Sequence, residues 1–481
     1  MSLNNLQTVF ITFFLSGFIL ISCQQKEIPT DKKPNVIIIF TDDQGYQDVG
    51  CFGSPLIKTP NLDALAKEGI MLTDFHAAQP VCSASRAGLL TGSYPNRIGI
   101  HNALMPNSPI GLNSNETTIA EMLKENGYNT AIFGKWHLGD NEKFMPNKHG
   151  FDEYVGIPYS NDMWPHHPGQ GKFFDFDPLP LYENEKIIDT LSEQSQLTTL
   201  FTERSVNFIK ANKDHPFFLY LAHPQPHVPL FVSDKFKGKS ERGLYGDVIM
   251  EIDWSVGEIV KTLQEEGLDD NTLVIFTSDN GPWLNYGEHS GSALPFREGK
   301  GTSFEGGHRE PCIVYFPKKL EGGRSIDIPM MNIDILPTIA EVTGTKLPKK
   351  TIDGKSVWNI WTGASKESPH EAYFHYYHVN ELEAVRYKNW KLYFPHQYRT
   401  LNGRPGGKNG WPVPYDHIKL DSIELYNLAA DISETTNVAS QHPEIVSKIT
   451  ALADSMRYKL GDNLKGIEGT ENREPGKVTE D

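Results

Sequence analysis

Asp42-Asp43 and Asp279-Asn280 place oxygen donors directly after two runs of β-branched and aromatic residues, Asn35 to Thr41 and Thr272 to Ser278. Such runs read as strands buried on both faces of a sheet. Carboxylates side by side at a strand end repel each other unless a cation neutralises them, and the carboxyl edge of an open α/β sheet is where ligands bind. With no cysteine or histidine among them, these donors suit a hard cation, calcium ahead of magnesium. Either dipeptide alone is more often a turn. What changes the reading is the reactive company they keep.

Cys82 opens the segment Cys82-Ser83-Ala84-Ser85-Arg86-Ala87-Gly88-Leu89-Leu90-Thr91-Gly92. At a helix start, the backbone N–H groups of Ser83, Ala84 and Ser85 and the positive end of the dipole favour an anion. The Arg86 guanidinium fork suits paired oxygens. The plain alternative for Cys82 is a small buried thiol. Lys135 and His137 lie in Gly127 to Gly139, His223 and His227 in Ala222 to Pro229, and Lys300 in the glycine-rich Gly299 to Gly307, where backbone can approach closely. Singly, each has an ordinary reading: a loop lysine faces solvent, and a histidine beside Trp136 is structural.

Together these motifs resemble the signatures of type I, formylglycine-dependent sulfatases, in the arylsulfatase A and N-acetylgalactosamine-6-sulfatase branch, and the chain looks like a bacterial polysaccharide sulfatase of that kind. The Cys82 segment meets the pattern at which the cysteine is converted to Cα-formylglycine, with Ala84 where Pro is commoner, which leaves the maturation system open. The resemblance runs from Pro34 to Ala439. It implies one calcium ion held by Asp42, Asp43, Asp279, Asn280 and residue 82. Arg86 would hold the hydrated aldehyde, one hydroxyl of which attacks sulfur, with Asp279 helping to deprotonate it. Lys135 and Lys300 would bind the sulfate oxygens, His227 would protonate the leaving alcohol, and His137 would be the base that triggers release of sulfate. His223 competes with His227 for the acid role.

Those groups need a scaffold. Strands alternate with amphipathic helices at Leu62 to Gly69, Thr118 to Gly127, Thr199 to Asn212 and Asp247 to Glu266. This fits the α/β fold that the resemblance implies: an alkaline-phosphatase-like sandwich with a large mixed, mostly parallel sheet between helices. Near residue 365 the texture shifts to antiparallel strands at Glu371 to Tyr377 and Leu382 to Phe394, then a helix at Pro443 to Tyr458. The expected division is 1–22 signal peptide, 23–33 tether, 34–365 catalytic domain, 366–465 a smaller C-terminal α+β subdomain with an antiparallel sheet, and 466–481 a charged, disordered tail.

A chain of 481 residues with 38% hydrophobic content exceeds the size at which single cores stop growing. Its net charge of −16 excludes a nucleic-acid footprint, so an anionic substrate must be met by a few concentrated cations. An apolar stretch from Val9 to Ile21 is too short for a comfortable membrane span, and Leu20-Ile21-Ser22-Cys23 resembles a bacterial lipobox. Diacylation of Cys23 would anchor the protein to a membrane of the bacterial cell envelope, on its periplasmic or surface side. Residues 1–10 carry no Lys or Arg, a departure from the usual positive start of a signal peptide. With Cys23 lipidated and Cys82 oxidised, only Cys51 and Cys312 remain, which is no disulfide framework.

Substrate contacts are expected from two segments. Pro158 to His167 offers Asn161, Asp162, Trp164 and His166, a mixture found in carbohydrate subsites, though an ordinary lid loop reads the same way. Trp283, Tyr286, His289 and Arg297 form a second candidate wall near Asp279. The expected partner is a sulfated oligosaccharide, from an algal polysaccharide such as ulvan or carrageenan or from a glycosaminoglycan. A formylglycine-generating or radical maturation enzyme would act before export. Two alternatives stand beside this: a formylglycine-dependent phosphate ester hydrolase, and a non-catalytic surface glycan-binding lipoprotein in which Cys82 is never oxidised. A separate proton donor and base argue against the second.

Overall fold

Strand β1 (Asn35–Thr41) is buried along its whole length because it separates two apolar cores: Val36, Ile38 and Phe40 enter one, Ile37 and Ile39 the other. That is why its sequence is continuously apolar rather than alternating. The computed structural model describes residues 32–167 and 175–478. The expected signal peptide, Cys23 and the tether as far as residue 31 lie outside the described residues.

The same sheet takes in β2 (Ile70–Leu72), β3 (Asn129–Lys135), β4 (Glu153–Ile157), β5 (Pro180–Glu183), β6 (Lys186–Thr190), β7 (Phe217–Ala222), β8 (Thr272–Ser278), β9 (Cys312–Tyr315) and β10 (Arg324–Ile326). Their order across the sheet is β10-β2-β9-β8-β1-β7-β3-β4-β5-β6. The central strands β8, β1, β7, β3 and β4 are parallel, and the antiparallel pairings fall outside them. Four neighbouring parallel strands therefore open at one edge, delivering Asp279 after β8, Asp42 after β1, His227 after β7 and His137 after β3. The order of strands in space thus collects groups scattered along the chain.

Helices α1 (Pro60–Glu68), α2 (Cys82–Thr91), α3 (Ile119–Glu125), α4 (Leu197–Ala211), α5 (Leu244–Glu265) and α6 (Ile335–Thr343) flank the sheet. Leu62, Phe201 and Ile252 bring α1, α4 and α5 to one face, while Leu89, Leu123 and Ile339 bring α2, α3 and α6 to the other. The apolar periodicity of these segments is what buries them. Helix α2 is buried at every residue and ends at Gly92 in the left-handed conformation, φ 65°.

Beyond the sheet, β11 (Tyr373–Tyr377), β12 (Glu381–Tyr387), β13 (Trp390–Tyr393), the hairpin β14 (His396–Thr400) and β15 (Asp416–Leu420), and β16 (Glu424–Asn427) build the C-terminal part. Strands β11-β12-β13-β16 form an antiparallel sheet, covered by α7 (Pro443–Leu460) through Ile449, Ala453 and Leu460. A buried ion network ties this sheet to the turn Glu305–His308 of the larger part. Glu305 accepts from Lys391 at 2.7 Å and lies 3.2 Å from both His76 and Arg309. Asp74 pairs with Arg386 at 2.9 Å, and Glu434 receives the Glu305 N–H at 2.9 Å. From Lys33 onward the chain is one compact unit.

The expectation of disorder after residue 465 is corrected for residues 466–478. Arg473 reaches Glu116 at 2.7 Å, Glu471 pairs with Arg97 at 3.1 Å, and Gly476–Lys477 pairs antiparallel with Ile110–Gly111. Composition suggested solvated charge, but the partners Glu116 and Arg97 are themselves buried. Truncation before residue 466 is expected to cost ~1–3 kcal/mol, because both buried charges lose partners. An unchanged urea midpoint would show that the tail contributes nothing.

Candidate active site

At the open edge of the sheet, Asp43 turns out of β1 in the left-handed conformation (φ 63°), and its N–H donates to Asp279 Oδ1 at 3.0 Å. Asn280 Nδ2 donates to Asp43 Oδ1 at 2.7 Å. Arg86, from the first turns of α2, donates to Asp279 Oδ2 at 2.9 Å and to the Lys135 carbonyl at 3.2 Å, and its Nη2 lies 3.7 Å from Asp42 Oδ1. Lys135 donates to the Asp42 carboxylate and to Ser160 Oγ, the latter at 3.1 Å. All of these side chains are buried.

Cys82 is the first residue of α2, where N–H groups lack intrahelical acceptors. Its Sγ lies 3.2 Å from Lys300 Nζ and 4.0 Å from Asp43 Oδ1. Lys300 also donates to Asp43 at 2.6 and 2.9 Å. Its loop is pinned because Gly301, at φ 75°, donates its N–H to the Pro80 carbonyl at 2.9 Å. His227 Nε2 stands 3.5 Å from Asp43 Oδ2, while its Nδ1 contacts the Val228 carbonyl at 2.6 Å. A carbonyl only accepts, so Nδ1 carries a proton. By the same argument His137, whose Nε2 meets the Leu104 carbonyl at 2.9 Å, keeps Nδ1 as an acceptor, buried and without a partner.

The charges shift one another. Burial works to raise the Asp42 carboxyl, but Lys135, His227, Arg86 and Lys300 outweigh it and hold it well below the usual range. Burial and then the Asp42 carboxylate push Asp279 up to about 8, against the pull of Arg86. Burial, with Lys135 and Arg86 adding to it, holds His137 well below its ordinary value and therefore neutral. Burial and then Asp42 raise the Cys82 thiol well above its ordinary value. Burial opposes the Lys300 charge, yet Asp43 and its neighbours raise that pKa well above normal.

Asp42, Asp43, Cys82 and His227 each offer an atom such that all lie within 4.8 Å of one another. Asp42 Oδ1 and Asn280 Oδ1 are buried without hydrogen-bond partners. Buried oxygens of this kind call for a ligand. With Asp43 and Asp279 they form an oxygen-only set that fits a hard cation such as calcium.

The structure brings together Asp42, Asp43, Cys82, Arg86, Lys135, His137, His227, Asp279, Asn280 and Lys300. His223 is turned away, its Nε2 meeting Ser255 Oγ of α5 at 3.2 Å, which leaves His227 as the histidine at Asp43. Trp283 lines the site, its ring 5.5 Å from that of His227 and 4.7 Å from Lys300 Nζ. Asp162 is buried within the field of His167 and Tyr286, with Oδ1 unpartnered. Asn161 braces the His227 loop by donating to the Pro229 carbonyl at 3.1 Å.

The other substrate candidates have neighbours elsewhere in the structure. Trp164 is a core residue whose Nε1 donates to the Leu191 carbonyl at 2.8 Å, and His166 packs on its outer side at 5.1 Å. Arg297 lies 3.9 Å over the Phe304 ring and donates to Tyr398 and Tyr426, which commits it to the junction with the C-terminal part. His289 has Glu288 and Arg242 as its charged neighbours. Two site residues had escaped the sequence reading: Ser160, whose only signal is a hydroxyl just past the end of β4, and Arg399, treated below.

A family model described as Sulfatase matches residues 34–345, and one described as C-terminal region of aryl-sulfatase matches 368–471. A third, described as N-sulphoglucosamine sulphohydrolase, C-terminal, overlaps at 299–400. Arylsulfatase A of Bos taurus is 38% identical over 456 residues, covering 88% of this chain and 88% of its own. Human N-acetylgalactosamine-6-sulfatase is 37% identical over 458 residues, covering 89% of this chain and 86% of its own. The crystal structure of Ps i-CgsB in complex with k-i-k-neocarrahexaose matches with a TM-score of 0.74 at 30% identity, covering 91% of this chain and 96% of that one.

Proposed function

The chain belongs to the sulfatase family, as a sulfuric ester hydrolase of the arylsulfatase A-like branch, and from that premise we propose that it desulfates a glycan using formylglycine made from Cys82 and one calcium ion. The observation that carries the proposal is the position of Cys82 at the head of α2, between Lys300 and Asp43. Its Sγ lies at the meeting point of Lys300 and Asp43, yet burial keeps the thiol protonated and hence a poor nucleophile. That inert thiol supports a reactive group being made from the cysteine.

Calcium, when bound, supplies charge to the sulfate and the hydrated formylglycine, which in turn supplies the attacking oxygen. The chain's own residues do the rest. Arg86 orients the acidic cluster through Asp279. Lys135 and Lys300 offset charge on the sulfate oxygens as the S–O bond breaks. His227, with Nδ1–H fixed on the Val228 carbonyl, offers Nε2 as the proton donor to the leaving alcohol. His137, held neutral with Nδ1 free to accept, serves as the base.

A sugar substrate is supported by the neighbour solved with k-i-k-neocarrahexaose. We place carrageenan-type and other algal chains, ulvan included, beside glycosaminoglycans as the panel to test. The lipobox-like Leu20-Ile21-Ser22-Cys23 supports a lipid anchor in the bacterial envelope, and maturation of Cys82 by a formylglycine-generating or radical enzyme would precede export.

The test is sulfate release from that panel, with matched phosphate esters alongside, by protein whose mass confirms formylglycine. Sulfate from at least one glycan is expected. Turnover of the phosphate esters alone would replace this reading with phosphate ester hydrolysis. Exhaustive chelation is expected to cut the rate by about a hundredfold or more, with calcium restoring it. Full activity after chelation would remove the metal from the proposal.

A further inference from the structure

Resting on the glycan sulfatase reading, we propose that the C-terminal part completes the substrate site with the Arg399 guanidinium, flanked by His378, and that this rim binds a second anionic group on the sulfated sugar. Arg399 lies on β14, and its Nε donates to the Lys300 carbonyl at 3.0 Å, with Nη2 on the same oxygen. One edge of the guanidinium is thus anchored to the lysine that touches Cys82. Its face is backed by the Tyr415 ring at 4.8 Å. Among the described residues, no carboxylate lies within ion-pair distance of Arg399. Glu298, which accepts from Thr400 Oγ1 at 2.7 Å, lies within the field of Arg399 without pairing with it directly.

His378 stands in the turn between β11 and β12, in the left-handed conformation (φ 46°), exposed and within the field of Arg399 and His417. Tyr377, just before it, is half-buried and within the field of Arg399, Glu383, Lys300 and Cys82. The other cations of the site are already matched: Lys135 to Asp42, Lys300 to Asp43 and Arg86 to Asp279. Arg297 is engaged at the junction. Arg399 is therefore a half-buried cation beside the site with no carboxylate in direct contact among the described residues. In a protein of net charge −16, such a cation selects an anion locally where the whole surface repels it. A guanidinium edge suits either a second sulfate or a uronate carboxylate.

The test compares kcat/KM for a monosulfated sugar, the same sugar with a second sulfate, and a monosulfated disaccharide carrying a uronate. The wild-type protein is expected to favour one of the doubly anionic substrates by about tenfold or more, and which one identifies the source of the anion. Arg399→Gln is expected to erase that ratio, and His378→Ala, at an exposed turn position, to reduce it. If Arg399 only positions Lys300, its substitution lowers all substrates by one factor and leaves the ratio intact, which overturns the proposal. Equal rates on all three substrates by the wild type overturn it too, while leaving the sulfatase reading standing. No sulfate from any of them would instead bring down that reading.

Discussion

Cys82→Ala is expected to leave a folded protein with sulfate release reduced by about 10⁴-fold or more. Removing the nucleophile from a covalent or nucleophilic mechanism costs losses of this order, because the remaining groups bind and polarise but cannot attack. Lys300, Lys135 and His227 would still hold sulfate in the variant, so substrate or product binding should persist. The structural cost is small, since one buried sulfur at the head of α2 is exchanged for a methyl group. The measurement is ion chromatography of released sulfate beside a thermal melt. A folded Cys82→Ala protein that releases sulfate at the wild-type rate would dispose of formylglycine chemistry.

Glu305→Leu should produce the largest loss of stability, about 3–5 kcal/mol, because it leaves Lys391, Arg309 and Arg386 in a buried network short of one negative charge. The contacts of this carboxylate join β13 of the C-terminal sheet to the turn that follows the Lys300 loop. Activity should therefore fall along with the urea midpoint. Burial acts to raise the Glu305 carboxyl, but Lys391 and His76 hold it well below its ordinary value of 4.5. A depressed folded value means that its contribution is complete above pH 4.5 and is lost as the pH falls below that. Wild-type stability should drop in that acidic window, with Glu305→Leu dropping less. A midpoint insensitive to the substitution would show that the network adds no net stability.

Much of the centre was legible because strand ends and motif residues are local signals. The apolar runs of β1 and β8 have the boundaries that the sequence implied, and each acidic dipeptide follows directly. What local pattern cannot carry is which distant segment touches which. Arg399 has no motif around it, and its role arises only because a hairpin nearly a hundred residues later folds onto Lys300, a separation of 99. The partners of Trp164 and Arg297 are hidden from local pattern for the same reason. An aromatic or a guanidinium reads as a binding group until its Nε1 or its ring partners are known. The tail looked disordered because its charges found partners in the catalytic part, at separations such as 357 for Arg473 and Glu116.

The near-complete burial of Cys82, 1% exposed, also sets a clock. Any enzyme that modifies the residue must reach it before α2 is enclosed. Enclosure cannot be complete until β8 has paired with β1 across 237 residues and Lys300, 218 residues after Cys82, has been synthesised. At ribosomal speeds of about 5–20 residues per second, that delay is roughly 10–45 s. Pairings between strands so far apart in sequence also form slowly once available. If Cys82 is converted to formylglycine as proposed, the same non-local topology that assembles the site late would hold the cysteine within reach of a maturing enzyme, so faster closure of the sheet would yield more folded protein and less of it competent.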